Sequence, residues 1–407
     1  MNERELTKII KSIPGLDLNM AEKAAARQAE LAKPPGSLGV LESISIRMAG
    51  LTGSLKNHVD KGCVVVMCAD NGVAEEGVAS APQSVTMAQT VNFTRRLTGV
   101  GALAESYGSE LLIVDLGVKD AIPTELYDDV ALRDTHKIVD RRIASGTGNI
   151  ARRSAMTREQ VLRCLEIGIE MADAVKAKGF HIIGVGEMGI GNTTTSAAVL
   201  SAVTGLDSEM TCGRGGGIND ESFEIKKDIV DRVSDEYRRG GGLLKTAGLE
   251  LGGMLSKAQG KPSARDAMID VLAKMGGFDI CAMAGVFIGA AKNKMPAVID
   301  GYISLVAALA AAIIAPKSTG CMFASHKSNE KGYGAGIEAL SGISEVVSNF
   351  GMEPFLGLNM RLGEGSGCPI AFDVIKGACH VMNNMGTFEE ARIDDGYLYE
   401  IRNGDCF

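Results

Sequence analysis

No C-x-x-C pair occurs in the sequence, and only five histidines accompany its nine cysteines. That shortage excludes the common zinc-site spacings. The odd, scattered set of cysteines (63, 68, 164, 212, 281, 321, 368, 379 and 406) excludes a fully paired disulfide framework. Several thiols lie in apolar runs, as Cys63 and Cys68 do within CVVVMCAD, and read as buried residues of a reducing compartment. Basic runs and aromatic-interleaved basic patches are absent, and the formal charge is −8, so no nucleic-acid surface is expected. Nor is any apolar stretch long enough to cross a bilayer. The most apolar one, ISLVAALAAAIIA at 303–315, has the length of a core helix. The N-terminal MNERELTKIIKS is a charged helix start and not a signal peptide. With no internal repeat and no low-complexity tail, the expectation is a cytoplasmic protein with no membrane contact.

What remains is an ordinary globular composition, 45% hydrophobic and 23% charged, on 407 residues. That length holds one large domain plus a smaller one, or two of medium size. Residues 1–60 have apolar positions at helical spacing, interrupted by KPPGSLG at 33–39. Beyond them, β-rich runs appear at 63–68, 111–116, 181–185, 296–299 and 319–324. Helical stretches lie between, at 87–107, 157–179, 194–203, 222–237 and 280–293. Alternation of this kind predicts an α/β fold with a doubly wound, mostly parallel sheet. The Gly-rich segment 238–262 reads as an insertion or a loose helical hairpin.

Each predicted strand ends in polar or glycine-rich residues: Asp70-Asn71-Gly72, Asp115-Leu116-Gly117, Gly186-Glu187-Met188-Gly189, Asp300-Gly301 and Ser325-His326. In an open parallel sheet the loops beyond the carboxyl ends of the strands converge on one crevice, so all five are expected around a single site. The stretch GVGEMGIGNTTT at 184–195 has the glycine spacing and hydroxyls of an anion-binding turn into a helix. A tight turn capped by Asn and Thr reads equally well. It lacks the Lys-Ser/Thr pair of a Walker loop, and it carries an acid, Glu187, in its middle. A second glycine run, Gly213-Arg214-Gly215-Gly216-Gly217, precedes Lys226 on the next helix, where Arg and Lys can supply the missing positive charge. In Arg361-Leu362-Gly363-Glu364-Gly365-Ser366-Gly367, the flanking glycines let a carboxylate approach a ligand closely, although an exposed loop glutamate is the commoner meaning. His326, beside Ser325 and Ser328, is given a supporting role at most.

Taken in order, KPPGSLGVLE (33–42), ADNGVAEEGV (69–78), GEMGIGNTT (186–194), GRGGGI (213–218), DGYIS (300–304), SHKSNEKG (325–332) and RLGEGSG (361–367) are specific. From about residue 30 to about residue 390 the chain resembles the nicotinate-nucleotide:dimethylbenzimidazole phosphoribosyltransferases, which build the lower-ligand nucleotide of cobamides. The resemblance implies a Rossmann-like sheet domain with a second, smaller helical domain, and a dimer. On that basis 1–60 is expected to be a helical segment of the small domain, and 61–330 the nucleotide-binding domain. Residues 331–407 would return to the small domain and carry the catalytic loop.

The same resemblance implies that phosphoribose moves from nicotinate mononucleotide to an aromatic base with inversion at C1′, without cofactor or metal. Glu364 takes the position of the general base and Glu187 supports it. Gly189, Gly191, Asn192, Thr193, Lys226 and Ser328 take those of the nucleotide and phosphate contacts. Asn71, Ser80, Ala81, Gln89, Met188 and Leu362 fall at the aromatic acceptor. Three departures stand out. Asn71 replaces the histidine of the usual ADHGV, Ala81 falls where a serine is frequent, and extra residues occur around 231–262 and 335–350. Acceptors of the phenol or p-cresol type in a two-subunit enzyme, or a low-activity paralogue serving as a structural partner, are the alternatives these leave.

Overall fold

The computed structural model describes residues 1–246, 263–343 and 351–398. Seven strands form one parallel sheet: β1 (Gly62–Ala69), β2 (Glu110–Gly117), β3 (Tyr127–Asp128), β4 (Ile138–Asp140), β5 (Ile182–Met188), β6 (Ala297–Ile299) and β7 (Met322–Ala324). Their order is β3-β4-β2-β1-β5-β6-β7. The chain winds outward from β1 in one direction, returns, and winds outward from β5 in the other. This is the doubly wound, Rossmann-like α/β architecture. The two shortest strands inside the first half, β3 and β4, have no counterpart in the sequence reading. The run expected at 319–324 begins as a 3₁₀ turn, Pro316–Cys321, and only then becomes β7.

Both faces of the sheet are covered, which explains why its strands are continuous apolar runs without alternation. Along β1, Cys63, Val65, Met67 and Ala69 point into the larger core, with helices Arg158–Ala177, Asn192–Thr204, Phe278–Lys292 and Tyr302–Ile314. Val64, Val66 and Cys68 point to the opposite face, under helices Val40–Thr52, Gly99–Ser106 and Cys368–Asn384. All eight cysteines among the described residues are buried free thiols. Helix Tyr302–Ile314 is buried on every side, as its uninterrupted apolar sequence requires. No helix among the described residues is long and apolar enough to cross a membrane.

Residues 87–107, expected as one helix, form two, Ser84–Thr94 and Gly99–Ser106. Between them Arg96 takes a left-handed conformation (φ 57°), and Thr98 starts the second helix by accepting from Gly101 N. The N-terminal helices Leu18–Glu30 and Val40–Thr52 pack on each other, and the C-terminal helix Cys368–Asn384 packs against Val40–Thr52. That C-terminal helix also lies on the sheet, where Phe372 fits over Gly62 and Gly184. The Gly-rich 238–262 stretch includes a short helix, Gly242–Thr246; residues 247–262 of that expected hairpin lie outside the described residues.

The closest helix crossing explains three glycines. Helices Arg158–Ala177 and Phe278–Lys292 meet through Gly168, Gly285 and Gly289, each lying against the backbone of the facing helix. A Cβ on Gly168 would run into the Ala282 carbonyl oxygen and come 2.6 Å from Val286 N. Backbone cannot rotate away, so overpacking at the upper end of about 1–3 kcal/mol outweighs the ~1 kcal/mol that alanine gains over glycine in a helix. Gly377, inside helix Cys368–Asn384, has nothing within 4 Å of its Cβ position. In urea denaturation Gly168→Ala is expected to lower the midpoint, while Gly377→Ala raises stability by about 0.5–1 kcal/mol. Equal effects at the two positions would contradict this packing account.

Candidate active site

A cleft of about 610 Å³ opens at the carboxyl ends of the strands, where β1 and β5 lie side by side and the winding reverses. The reversal separates the loops leaving the two strands, and that separation makes the crevice. Its walls come from the segment after β1 (Val78 to Gln89), the end of β5 with its loop (Gly186 to Thr193), and the second glycine run with Arg214. The ends of β6 (Asp300, Gly301) and β7 (His326, Ser328) and the turn Arg361–Glu364 complete them.

All the residues expected in the site line this cleft except Asn71 and Lys226. Asn71 is fully buried behind the wall. Its side-chain oxygen accepts from Thr195 Oγ1 (3.3 Å) and its amide donates to the Ala69 carbonyl (3.4 Å). Asn71 thus braces the turn after β1 against the helix after β5 instead of facing the cleft. Lys226, also buried, donates from Nζ to Thr193 Oγ1 (3.0 Å) and the Gly213 carbonyl (2.8 Å). It holds the two glycine-rich loops together and reaches the cleft only through Thr193. The expectation that five strand ends converge is corrected: the ends of β5, β6 and β7 line the cleft directly, β1 does so only through the later part of the segment that follows it, and β2 does not. Asp70 accepts from Thr86 Oγ1 and Lys119 N, and Asp115 from Gly117 N, Val118 N and Tyr127 Oη, so both fasten loops away from the cleft. For Asp115 the reason is topological, since β2 lies on the far side of β1 from the switch point; Asp70, at the end of β1 itself, is taken up by Thr86 and Lys119.

The glutamate turn is the most constrained part of the site. Gly363, Glu364 and Gly365 are all left-handed, with φ of 87°, 63° and 86°. Glu364 N donates to Glu187 Oε1 (3.3 Å), while Gly365 N and Gly367 N donate to Asp300 Oδ2 (3.0 Å) and Oδ1 (2.7 Å). Two glycines permit the approach. A Cβ on Gly186 would meet the Glu364 carbonyl, and one on Gly363 would meet Glu187 Oε1. So held, the Glu364 carboxylate accepts from Gln89 Nε2 (3.2 Å) and from Val100 N (3.2 Å), in the first turn of helix Gly99–Ser106. Asn92 donates to Gln89 Oε1 (3.0 Å), so the Gln89 amide nitrogen must face Glu364. Burial pushes the Glu364 carboxyl upward, against the lowering effect of these donors.

Behind Glu187 lies an acid cluster that the sequence reading missed in part. Asn192 Nδ2 donates both to Glu187 Oε2 and to Asp279 Oδ2 (3.0 Å). Burial, then repulsion from Asp279, pushes Glu187 up to about 8. Asp279 is pushed up to about 6 and Asp300 to about 7, each mainly by burial. The signal for Asp279 was an acid at the start of the apolar run FDICAMAGVFIGAA. The glycine loops line the same cleft, with Arg214, which is paired with Asp220 (2.5 Å), with Arg361, whose Nη1 donates to the Gly215 carbonyl (3.1 Å), and with Glu330, which lies against Gly213. Ser80 lies beside these loops: a Cβ on Gly216 would lie 2.9 Å from Ser80 Oγ. Leu362, Gln89 and Glu364 gather elsewhere in the wall, where Leu362 and Glu364 Oε2 both lie against Gly99.

A family model described as a phosphoribosyltransferase matches residues 13–393. The nicotinate-nucleotide–dimethylbenzimidazole phosphoribosyltransferase of Clostridium perfringens (strain ATCC 13124) is 47% identical over 402 residues, 99% of each chain. The protein of that name from Acetivibrio thermocellus is 41% identical, over 96% of this chain and 98% of its own. The crystal structure of CobT from Thermus thermophilus superposes with a TM-score of 0.77 at 31% identity, covering 93% of this chain and all of that one. The cleft at the sheet's switch point is therefore that of an enzyme, and this chain belongs to the phosphoribosyltransferase family of these nicotinate-nucleotide–dimethylbenzimidazole enzymes.

Proposed function

We propose that this cleft transfers phosphoribose from nicotinate mononucleotide to 5,6-dimethylbenzimidazole or a closely similar base, releasing nicotinate and the α-nucleotide. The observation that carries the reading is the Glu364 carboxylate, fixed by Gln89 and the Val100 N–H in a cleft that the two glycine runs also line. The lone pair of one benzimidazole ring nitrogen forms the new bond to C1′ as the C1′–N bond to the pyridinium breaks. The bonding pair neutralises the departing ring, so no acid is needed there. The proton on the other benzimidazole nitrogen passes to Glu364. Gly189, Gly191, Asn192 and Thr193, with Ser328 and, through Thr193, Lys226, serve the nucleotide. Ala81, Gln89, Met188 and Leu362 flank the acceptor, Ser80 sits nearer the nucleotide, and Asn71 acts from behind the wall. Glu187 supports the turn that carries Glu364.

The benzimidazole name shared by the relatives favours that acceptor over phenols, and Asn71, one of the departures that suggested a phenol, does not face the cleft. The division into a sheet domain (61–330) and a smaller helical domain from 1–60 and 331–407 is supported by the packing of the terminal helices. A dimeric, cytoplasmic enzyme is proposed on family resemblance alone.

Incubating the purified chain with nicotinate mononucleotide and a panel of benzimidazoles, adenine, phenol and p-cresol should yield nicotinate and α-nucleotide fastest with the benzimidazoles. No turnover with any of them would overturn the reading. Glu364→Gln is expected to keep donor affinity and lose about 10²- to 10⁴-fold in turnover, the usual contribution of a general base. Full retained activity would remove Glu364 from that role.

The acid cluster also predicts a pH dependence of stability. Carboxyls that titrate near 4 in the unfolded chain and at about 6, 7 and 8 when folded make the native state bind more protons. Their contribution is complete at low pH and is lost as pH rises towards 8. His326, lowered to about 4 by burial, acts in the opposite sense, but only below its ordinary value of about 6.5. Between pH 6.5 and 8 the urea midpoint should therefore fall, and Glu187→Gln should flatten that fall. An unchanged slope in the variant would show that Glu187 is not protonated on folding.

A further inference from the structure

His326 sits at the carboxyl end of β7 and has a role none of the preceding chemistry uses. Its backbone is clamped: it pairs in parallel with Leu356, whose N–H donates to the Ser325 carbonyl (2.9 Å) and whose carbonyl accepts from Lys327 N (3.1 Å). The ring is only 1% exposed, yet it lines the cleft. One face is fixed by Gly367, because a Cβ there would run into Nδ1. Among the described residues Nε2 has no hydrogen-bond partner. Ser328 Oγ and Gly301 lie beside it: a Cβ on Gly301 would stand 3.7 Å from Nε2 and 3.8 Å from Ser328 Oγ.

The hydrogen bonds determine what Nε2 offers. Ser325 Oγ has one proton and donates it to the Asp300 carbonyl (3.0 Å). The 3.0 Å contact between Ser325 Oγ and His326 Nδ1 must then be donated by Nδ1–H. The Asp300 carboxylate, 3.7 Å from Nδ1, favours the same proton position. Burial keeps the ring neutral near pH 7. A neutral imidazole protonated on Nδ1 presents a lone pair at Nε2, and a buried acceptor left unpaired is costly.

That lone pair can be satisfied only by a donor. On nicotinate mononucleotide the phosphate oxygens, mainly dianionic at neutral pH, and the nicotinate carboxylate are acceptors, and the pyridinium nitrogen bears no hydrogen. The ribose 2′- and 3′-hydroxyls are its only hydrogen-bond donors. Resting on the proposed donor, we infer that His326 Nε2 accepts a hydrogen bond from a ribose hydroxyl and makes the enzyme selective for ribosyl over deoxyribosyl donors. The same lone pair repels phosphate, so it also disfavours a donor that enters with its phosphate against β7.

Two variants separate this from a structural role. In His326→Asn the side-chain amide can replace Nδ1–H against Ser325 Oγ while Nε2 is removed. In His326→Gln an amide oxygen can reach the Nε2 position. Donor dissociation constants by calorimetry, and kcat/KM for the donor, would be measured with ribosyl, 2′-deoxyribosyl and 3′-deoxyribosyl nicotinate mononucleotides. In the wild type one deoxy donor should be about 10- to 100-fold worse than the ribosyl donor. His326→Asn should lose that factor for the ribosyl donor only, bringing the ratio close to one, and His326→Gln should restore part of it. The KM for the aromatic acceptor should not move. A wild type indifferent to both deoxy donors, or an Asn variant that keeps the wild-type ratio, overturns the inference while leaving the reaction intact. A wild type that neither binds nor turns over the ribosyl donor overturns the donor assignment, and this inference with it.

Discussion

The clamp of two buried carboxyls on the Gly363–Gly367 turn is the constraint on which the site depends. Three successive left-handed residues are unfavourable for a chain of L-amino acids, and Glu364 alone costs about 1–2 kcal/mol there. Glu187 and Asp300 offset this by accepting three backbone N–H groups that no helix or strand could otherwise satisfy. Such bonds are worth about 0.5–1.5 kcal/mol each to a neutral carboxyl and about 1.5–3 to a charged one, so together they hold the strained turn in one conformation. The turn's position then follows from contacts too close for any side chain, at Gly186 beneath it and at Gly363 within it. Without Asp300 and Glu187 the glutamate would sit on a loop of glycines, with many conformations available and one useful.

The clamp has its own electrostatic demand. Glu187, Asp279 and Asp300 are all buried, with only Asn192 donating to two of them, and burial, reinforced at Glu187 by repulsion from Asp279, raises their affinity for protons. A proton held among them near neutral pH lowers the repulsion and keeps the clamp closed. Asn192 serves here as the bridge of the acid cluster, while its backbone opens helix Asn192–Thr204 under the glycine loop. Glu187 turns to the Glu364 turn on one side and to Asn192 on the other. The acid in the middle of GVGEMGIGNTTT thus fastens its loop to the glutamate turn.

The sheet and its switch point were legible because buried parallel strands leave continuous apolar runs, and glycines mark where backbone approaches backbone. Glu364 was legible only in part: Gly-Glu-Gly marked a turn, but by itself it fitted an exposed loop, and it was the resemblance to the family that singled the residue out. Strands β3 and β4 were not legible, because two and three residues carry no periodicity. The layer behind the site was harder still. Asp279 meets Asn192 and Glu187 only because the helix after β5 and helix Phe278–Lys292 are brought together by the sheet. Asn71 and Lys226 carried the right motif but stand one side chain back from the cleft. A sequence can mark which residues a site needs more readily than it can mark how far each stands from the ligand.

The charges that line the cleft bear on why one donor would suit it. Glu187 and the β6 carboxylate hold the Glu364 turn, while Arg214 and Arg361 stand by the glycine loops together with Glu330. Nicotinate mononucleotide carries an anionic phosphate and a cationic pyridinium at the anomeric carbon. Transfer moves positive charge from the pyridinium onto the sugar and then onto the incoming base, charge that a fixed carboxylate beside that carbon would stabilise. Dipoles and charges already fixed by the clamp need not reorganise as that charge moves, which is where preorganised sites gain most over water. Neutral His326 adds no charge to the cleft and can discriminate by hydrogen bonding alone.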